Sequence, residues 1–152
     1  MKKTCLAGND CPLSRAYGAV GDWWSLLIVT RVLLGERRRF SEIQEDLGVA
    51  RNILSARLRK LVEEGILEKV PAPDGSLYQG YAPTEKGRAL FKVIVALLQW
   101  GETNCRGSPG ATSSLVDRRR GRPVPAIEVR AADGRVLGPD DLRLVTPGTV
   151  KA

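Results

Sequence analysis

The stretch "RNILSARLRKLVEEG", residues 51–65, decides how the chain is read. Arg51, Arg57, Arg59 and Lys60 all fall in its first ten residues, no acid lies among them, and the stretch ends on a glycine. At about 100° per residue, Leu54, Leu58, Leu61 and Val62 lie within about 100° of one another, which predicts the core-facing side of an amphipathic helix. Asn52, Ser55, Ala56 and Arg59 fall on the opposite side, flanked by Arg51 and Lys60. Ile53 is the odd apolar residue near that outer face. Ser55 and Ala56 keep the face low enough to enter a major groove, where Asn52 can pair bidentately with adenine and Arg59 with guanine. Ala56 or Ile53 could touch a thymine methyl. Arg51 sits at the helix N-terminus, where free amides and the dipole already favour phosphate. Taken alone, the same pattern also fits a solvated basic face on a surface helix.

The neighbouring segments shift the balance toward the groove. "FSEIQEDLG", residues 40–48, reads as a short helix, with Ser41 and Gln44 in a capping-box pattern and Gly48 as its stop. After residue 65, "ILEKV" and "LYQGY" are strand-like, joined by "PAPDGS", in which Asp74 and Gly75 tolerate a tight reversal. Upstream, Pro12 fits a first-turn position and Asp22 an N-cap. Residues 24–34 are apolar on nearly every face, so a buried central helix ending at Gly35 is expected, with Trp23 and Trp24 packed in the core. Thr84 is placed to cap a long helix from about 84 to 103. The order is helix, helix, short helix, basic helix, hairpin, long helix. It predicts a mainly α chain with a small β-hairpin, a winged helix-turn-helix.

Composition narrows the function. The chain has 152 residues and a net charge of +7, with +3 over residues 1–104 and +4 over 105–152. There is no histidine, so histidine triads, bases and metal ligands are excluded. Three cysteines, Cys5, Cys11 and Cys105, are too few for a closed four-ligand zinc site and odd for a disulfide framework. No phosphate-cradling loop is present, and neither an enzyme activity nor a cofactor is expected. No run of 18 apolar residues occurs, and "MKKTCLAGNDCPLS" has no apolar segment after its lysines; a cytoplasmic chain is expected.

Several of these segments together resemble one family. "CPLSRAYGAVGDWWSLLIVTRVLLGERRRFSEIQEDL" is similar to the opening of the HxlR-type regulators, through Cys11 and Pro12, residues 21–24, and residues 39–42. "NILSARLRKLVEEGILEKV" and "YAPTEKGRAL…QWGE" resemble its recognition helix with first wing strand and its closing helix. The resemblance covers about residues 11–103. It implies a MarR-related winged helix, a homodimer formed through the terminal helices, and transcriptional regulation, more often repression, at a pseudo-palindromic duplex. It also permits an oxidant- or electrophile-sensing role for Cys11, since a helix N-terminus can lower a thiol pKa, and a small-molecule or oxidant inducer. Where the family commonly has Ser at the cap of the recognition helix, this chain has Ala50.

The expected organisation is an N-terminal arm at 1–10, a winged helix-turn-helix at 11–104, a linker at 105–125, and a C-terminal extension at 126–152. That extension has a candidate hairpin around Asp133 and Gly134. Base reading is assigned to Arg51, Asn52, Ser55, Ala56, Arg59 and Lys60. Backbone contact is assigned to Arg37, Arg38, Arg39, Lys69 and Ser76. The dimer surface is assigned to Phe91, Ile94, Val95, Leu98 and Trp100 of the long helix, whose apolar residues exceed what one face can bury. The alternative is a winged-helix adaptor that binds an acidic protein and no specific DNA.

Overall fold

Residues 51–63 form the helix that their periodicity predicts, and the surrounding elements pack on its leucine face. The structure is a computed structural model that describes residues 11–35, 38–71, 75, 77–105, 107 and 115–144. Its elements are α1 (Pro12–Val20), α2 (Trp23–Leu33), α3 (Phe40–Leu47), α4 (Arg51–Glu63), β1 (Leu67–Pro71), β2 (Gln79–Pro83), α5 (Glu85–Ala89) and α6 (Phe91–Asn104), with a short 3-10 turn at Pro139–Asp141. They fall into two compact units, one ending at Ile94 and one beginning at Val95.

The core of the first unit joins Ile28, Val29 and Val32 of α2 to Ile43 of α3 and to Leu54, Leu58 and Leu61 of α4. Val20, Val49, Ile66, Leu67 and Ile94 complete it. Burying each leucine stabilises the fold by about 1.5–3 kcal/mol. The cap residue of α4, Ala50, makes no side-chain hydrogen bond; a capping side chain would add only about 1 kcal/mol. Leucine burial therefore holds α4 in place.

The winged helix-turn-helix follows from local chemistry. Asp22 caps α2 by accepting from the Ser25 N–H at 3.0 Å and the Ser25 hydroxyl at 2.6 Å. Of the two tryptophans expected in the core, only Trp24 packs against it; Trp23 is 71% exposed and tilts over the Trp24 ring at 5.2 Å. At about 100° per residue Trp23 falls on the side of α2 opposite the buried Ile28, Val29 and Val32, so it faces away from the core. The α3 cap also differs from expectation. The helix begins at Phe40 with Arg39 rather than Ser41 at its cap, two residues early, and Glu42 accepts from the N–H groups of Arg38 and Arg39 at 3.1 and 3.0 Å. A carboxylate near the helix dipole's positive end binds those amides more strongly than a hydroxyl–amide pair would. Gln44 instead donates to the Val49 carbonyl at 3.4 Å, bracing the turn into α4. That turn needs Gly48, whose φ of 59° is left-handed.

β1 and β2 are antiparallel, with Leu67 opposite Pro83 and Lys69 opposite Tyr81. On the other side of β2, Arg39 bridges to Gly80, and the Tyr81 N–H donates to the Arg38 carbonyl at 2.8 Å. The single helix expected from about 84 to 103 is two helices. Thr84 does cap the first, accepting from the Gly87 N–H at 3.1 Å, while its hydroxyl donates to the Gly65 carbonyl at 2.6 Å. Gly87 lies so close to the end of α4 that an added Cβ would stand 2.1 Å from the Ile66 carbonyl oxygen. The Leu90 N–H then bonds back three residues to Gly87, and α6 starts afresh.

In the second unit, the later part of α6 holds an extended C-terminal segment. Gln99 donates to the Pro125 carbonyl and accepts from the Ile127 N–H, both at 2.8 Å. Two tight reversals flank that clamp. One closes through the Val116 and Pro123 bridge, within the stretch read as linker; the other closes through Arg130 and Val136, around Gly134.

Candidate nucleic-acid interface

Arg51, Asn52, Ser55, Ala56 and Arg59 are all exposed on one side of α4, with Ile53 beside them at 37% exposure. The inner side of the same helix is filled by Leu54, Leu58 and Leu61. Arg51 is not loose: its guanidinium lies 5.3 Å from the centre of the Phe40 ring at the start of α3. That cation–π contact ties the first residues of the two helices together. Lys60 and Arg57 turn toward the flank. Arg57 Nε lies 3.3 Å and Lys60 Nζ 3.9 Å from the Asp22 carboxylate. Lys60 is thus set apart from the outward residues with which its sequence position groups it.

Asp22 gathers these flank charges. Burial raises its pKa, but hydrogen bonds from the Ser25 hydroxyl and N–H, with the charges of Arg57 and Lys60, outweigh that and hold it below the ordinary carboxylate range. One carboxylate therefore caps α2 and braces α4 against it.

Between α4 and the hairpin runs an open groove of about 400 Å³, lined by Ser55, Leu58, Arg59, Val62, Glu63, Lys69 and Tyr81. Arg59 and Lys69 put a cation on each wall. The Tyr81 phenol, protonated near neutral pH as any tyrosine is, can donate, and burial pushes its pKa further up. The sequence reading missed Tyr81. The signal was available, because a reversal at Gly75 places residue 81 opposite Lys69. Arg38 is exposed and Arg39 half-buried at the opposite edge of β2. Arg37 and Ser76, also assigned to the backbone, lie outside the described residues, as do Cys5 and the N-terminal arm.

Cys11 is partly exposed at the N-cap of α1, and Cys105 is exposed just past α6; neither is in a disulfide. The backbone N–H of Ser14, then that of Leu13, then the Ser14 hydroxyl stabilise the Cys11 thiolate and lower its pKa below the usual thiol value. On α6, Ile94 and Val95 are buried within the chain, at 4% and 2% exposure. Phe91 and Trp100 remain exposed, and Leu98 is half-buried. Val93, Leu97 and Trp100, within about 60° of one another on the helix, form an exposed apolar face opposite the buried pair. No helix among the described residues is long and apolar enough to cross a membrane.

Comparison with known proteins adds to this geometry. The family model described as HxlR-like helix-turn-helix matches residues 19–109. An uncharacterised HTH-type transcriptional regulator of Mycobacterium tuberculosis is 43% identical over 90 residues, 59% of this chain and 56% of that protein. The chain thus spans little more than half the length of such mycobacterial relatives. The transcriptional regulator YodB of Bacillus subtilis is 33% identical over 108 residues, 69% of this chain and 94% of YodB. The structure of its reduced form superposes with a TM-score of 0.52 at 30% identity, over 66% of this chain and 97% of that one. The crystal structure of PA1607, a candidate transcription factor, superposes with a TM-score of 0.86 at 46% identity, over 93% of this chain and 99% of that one. Covering that share of the chain, the likeness continues past residue 109 and into the second unit.

Proposed function

This chain belongs to the HxlR-like helix-turn-helix family of transcriptional regulators, and from that premise we propose a sequence-specific, homodimeric repressor that reads a pseudo-palindromic duplex with α4. The observation that carries this reading is the exposed face of α4. Asn52 and Arg59 offer bidentate hydrogen bonds to base edges, and between them only the small Ser55 and Ala56 stand. Arg51, at the free amides of the helix N-terminus, is the phosphate anchor beside them. Lys69, Tyr81 and Arg59 around the groove, and Arg38 at the sheet edge, give a second set of backbone donors. Lys60 contributes charge from the flank. A dimer through α6 would bury Val93, Leu97 and Trp100 with Phe91 and Leu98, and would present two copies of α4 to two half-sites. Such a regulator works in the cytoplasm, and the reading gives it no catalytic role.

Redox control through Cys11 is the finer part of the proposal. It is supported by the lowered thiol pKa at the start of α1, and by likeness to YodB, whose structure is known in reduced and quinone-bound forms. In that reading, oxidation or alkylation of Cys11 releases the duplex.

The test of the DNA reading is binding of a labelled duplex to the wild-type chain and to N52A/R59A. The wild type should prefer one sequence over its scrambled version, and the variant should lose that preference while keeping salt-dependent affinity. A wild type that binds both duplexes equally, together with capture of an acidic protein by the same face, would favour the adaptor.

A further inference from the structure

The stretch "DRRRGRP", residues 117–123, has four arginines and one acid, and lies beyond the segment matched by the family model. The structure folds it into a tight hairpin. The Asp117 N–H donates to the Arg122 carbonyl at 2.8 Å, the Gly121 N–H to the Asp117 carbonyl at 2.7 Å, and the Val124 N–H to the Leu115 carbonyl at 2.9 Å. Asp117 Oδ1 accepts from the Arg119 N–H at 2.9 Å, so the one acid of the turn shapes its backbone. The exit strand leads straight into the Gln99 clamp at residues 125–127, which fixes the hairpin to α6.

The second reversal of the same unit makes the contrast. There Arg130 pairs with Glu128 and Arg135 with Asp133, so each arginine is neutralised by a near neighbour. At the first reversal Arg119, Arg120 and Arg122 are exposed and have no ion pair among the described residues. Like charges crowded on an ordered bend repel one another, and a polyanion relieves that repulsion. Guanidinium groups match phosphate oxygens in a two-pronged geometry, and a pre-shaped turn loses less freedom on binding than a loose tail.

We propose that Arg119, Arg120 and Arg122 form a nucleic-acid contact of the second unit's own, holding the phosphate backbone of duplex DNA. The contact adds affinity without adding base preference. It rests on the DNA-binding reading above.

The experiment compares the full chain with R119A/R120A/R122A and R119K/R120K/R122K. Each is titrated with a labelled mixed-sequence duplex of about 40 base pairs over a salt series. The alanine variant should bind about tenfold or more weakly near physiological salt. Its plot of log affinity against log salt should be shallower by about 0.9 for each phosphate that is no longer neutralised. The lysine variant, which keeps the charges, should keep the slope. An alanine variant with wild-type affinity and slope overturns the proposal and leaves the α4 reading standing. A wild type that fails to bind the duplex even at low salt overturns both. Should the alanine variant melt early, R119Q/R120Q/R122Q carries the same comparison.

Discussion

At the scale of single residues, Arg59, Asp22 and Cys11 carry different parts of the account. Arg59 is exposed on the outer face of α4 and also lines the groove beside the hairpin. Arg59→Ala should relax base preference at one position in each half-site, at a cost of about 1–3 kcal/mol. A loss equal for all sequences would make it a phosphate contact only. Asp22→Ala should destabilise the fold by about 1–2 kcal/mol at neutral pH, because the cap and the brace to Arg57 go together. The folded pKa of Asp22 is depressed, so its contribution is present above the unfolded value of about 3.9 and fades as pH falls through the folded one. Denaturation of wild type and variant should therefore differ at pH 7 and converge in acid; a gap independent of pH would remove the charge from the explanation. For Cys11, alkylation in a C5S/C105S protein should reach half its maximal rate at a lower pH than a free cysteine derivative does, since the thiolate is stabilised. An oxidant response that survives Cys11→Ser would remove it as the sensor. Lys60 shows the limit of reading residues from a wheel. Its angle places it near the outer face, but a long side chain bends to the nearest carboxylate, and Asp22 is distant in sequence.

At the scale of elements, α4 was legible because the leucine spacing and the helix period agree, and burial of Leu54, Leu58 and Leu61 enforces the facing. The hairpin was legible from its turn residues. The α3 cap was not, because two capping patterns overlap there and only the stronger acceptor, Glu42, wins the amides. The break between α5 and α6 was illegible too. It depends on how near Gly87 comes to the Ile66 carbonyl, a tertiary contact without a local signature. Gly87→Ala should therefore cost about 1–3 kcal/mol by overpacking against backbone, where an exposed helical glycine would gain from the same change. Thermal unfolding checks the sign: a stabilised variant would contradict the close contact. Trp23 belongs here as well. Apolar composition all round α2 cannot tell which tryptophan reaches the core, and the structure leaves Trp23 exposed.

At the scale of the molecule, the chain divides into a winged-helix unit and a second unit that begins within α6. The first reads as a DNA-facing module, through a family shared over residues 19–109. The second could be foreseen only in fragments, since its order depends on a glutamine amide clamping backbone 26 and 28 residues away in sequence. The exposed Val93, Leu97 and Trp100 face on α6 is the candidate surface for a second copy. W100E should shift a dimer toward monomer in sedimentation, and a dimer unaffected by it would place the interface elsewhere. The central claim, a dimer that reads sequence through α4, is tested most directly by selecting bound molecules from random duplex DNA near physiological salt. The account predicts enrichment of one two-fold symmetric motif, with half-sites about 10 base pairs or a multiple of that apart. Recovery of unenriched DNA under both reducing and oxidising conditions would contradict it.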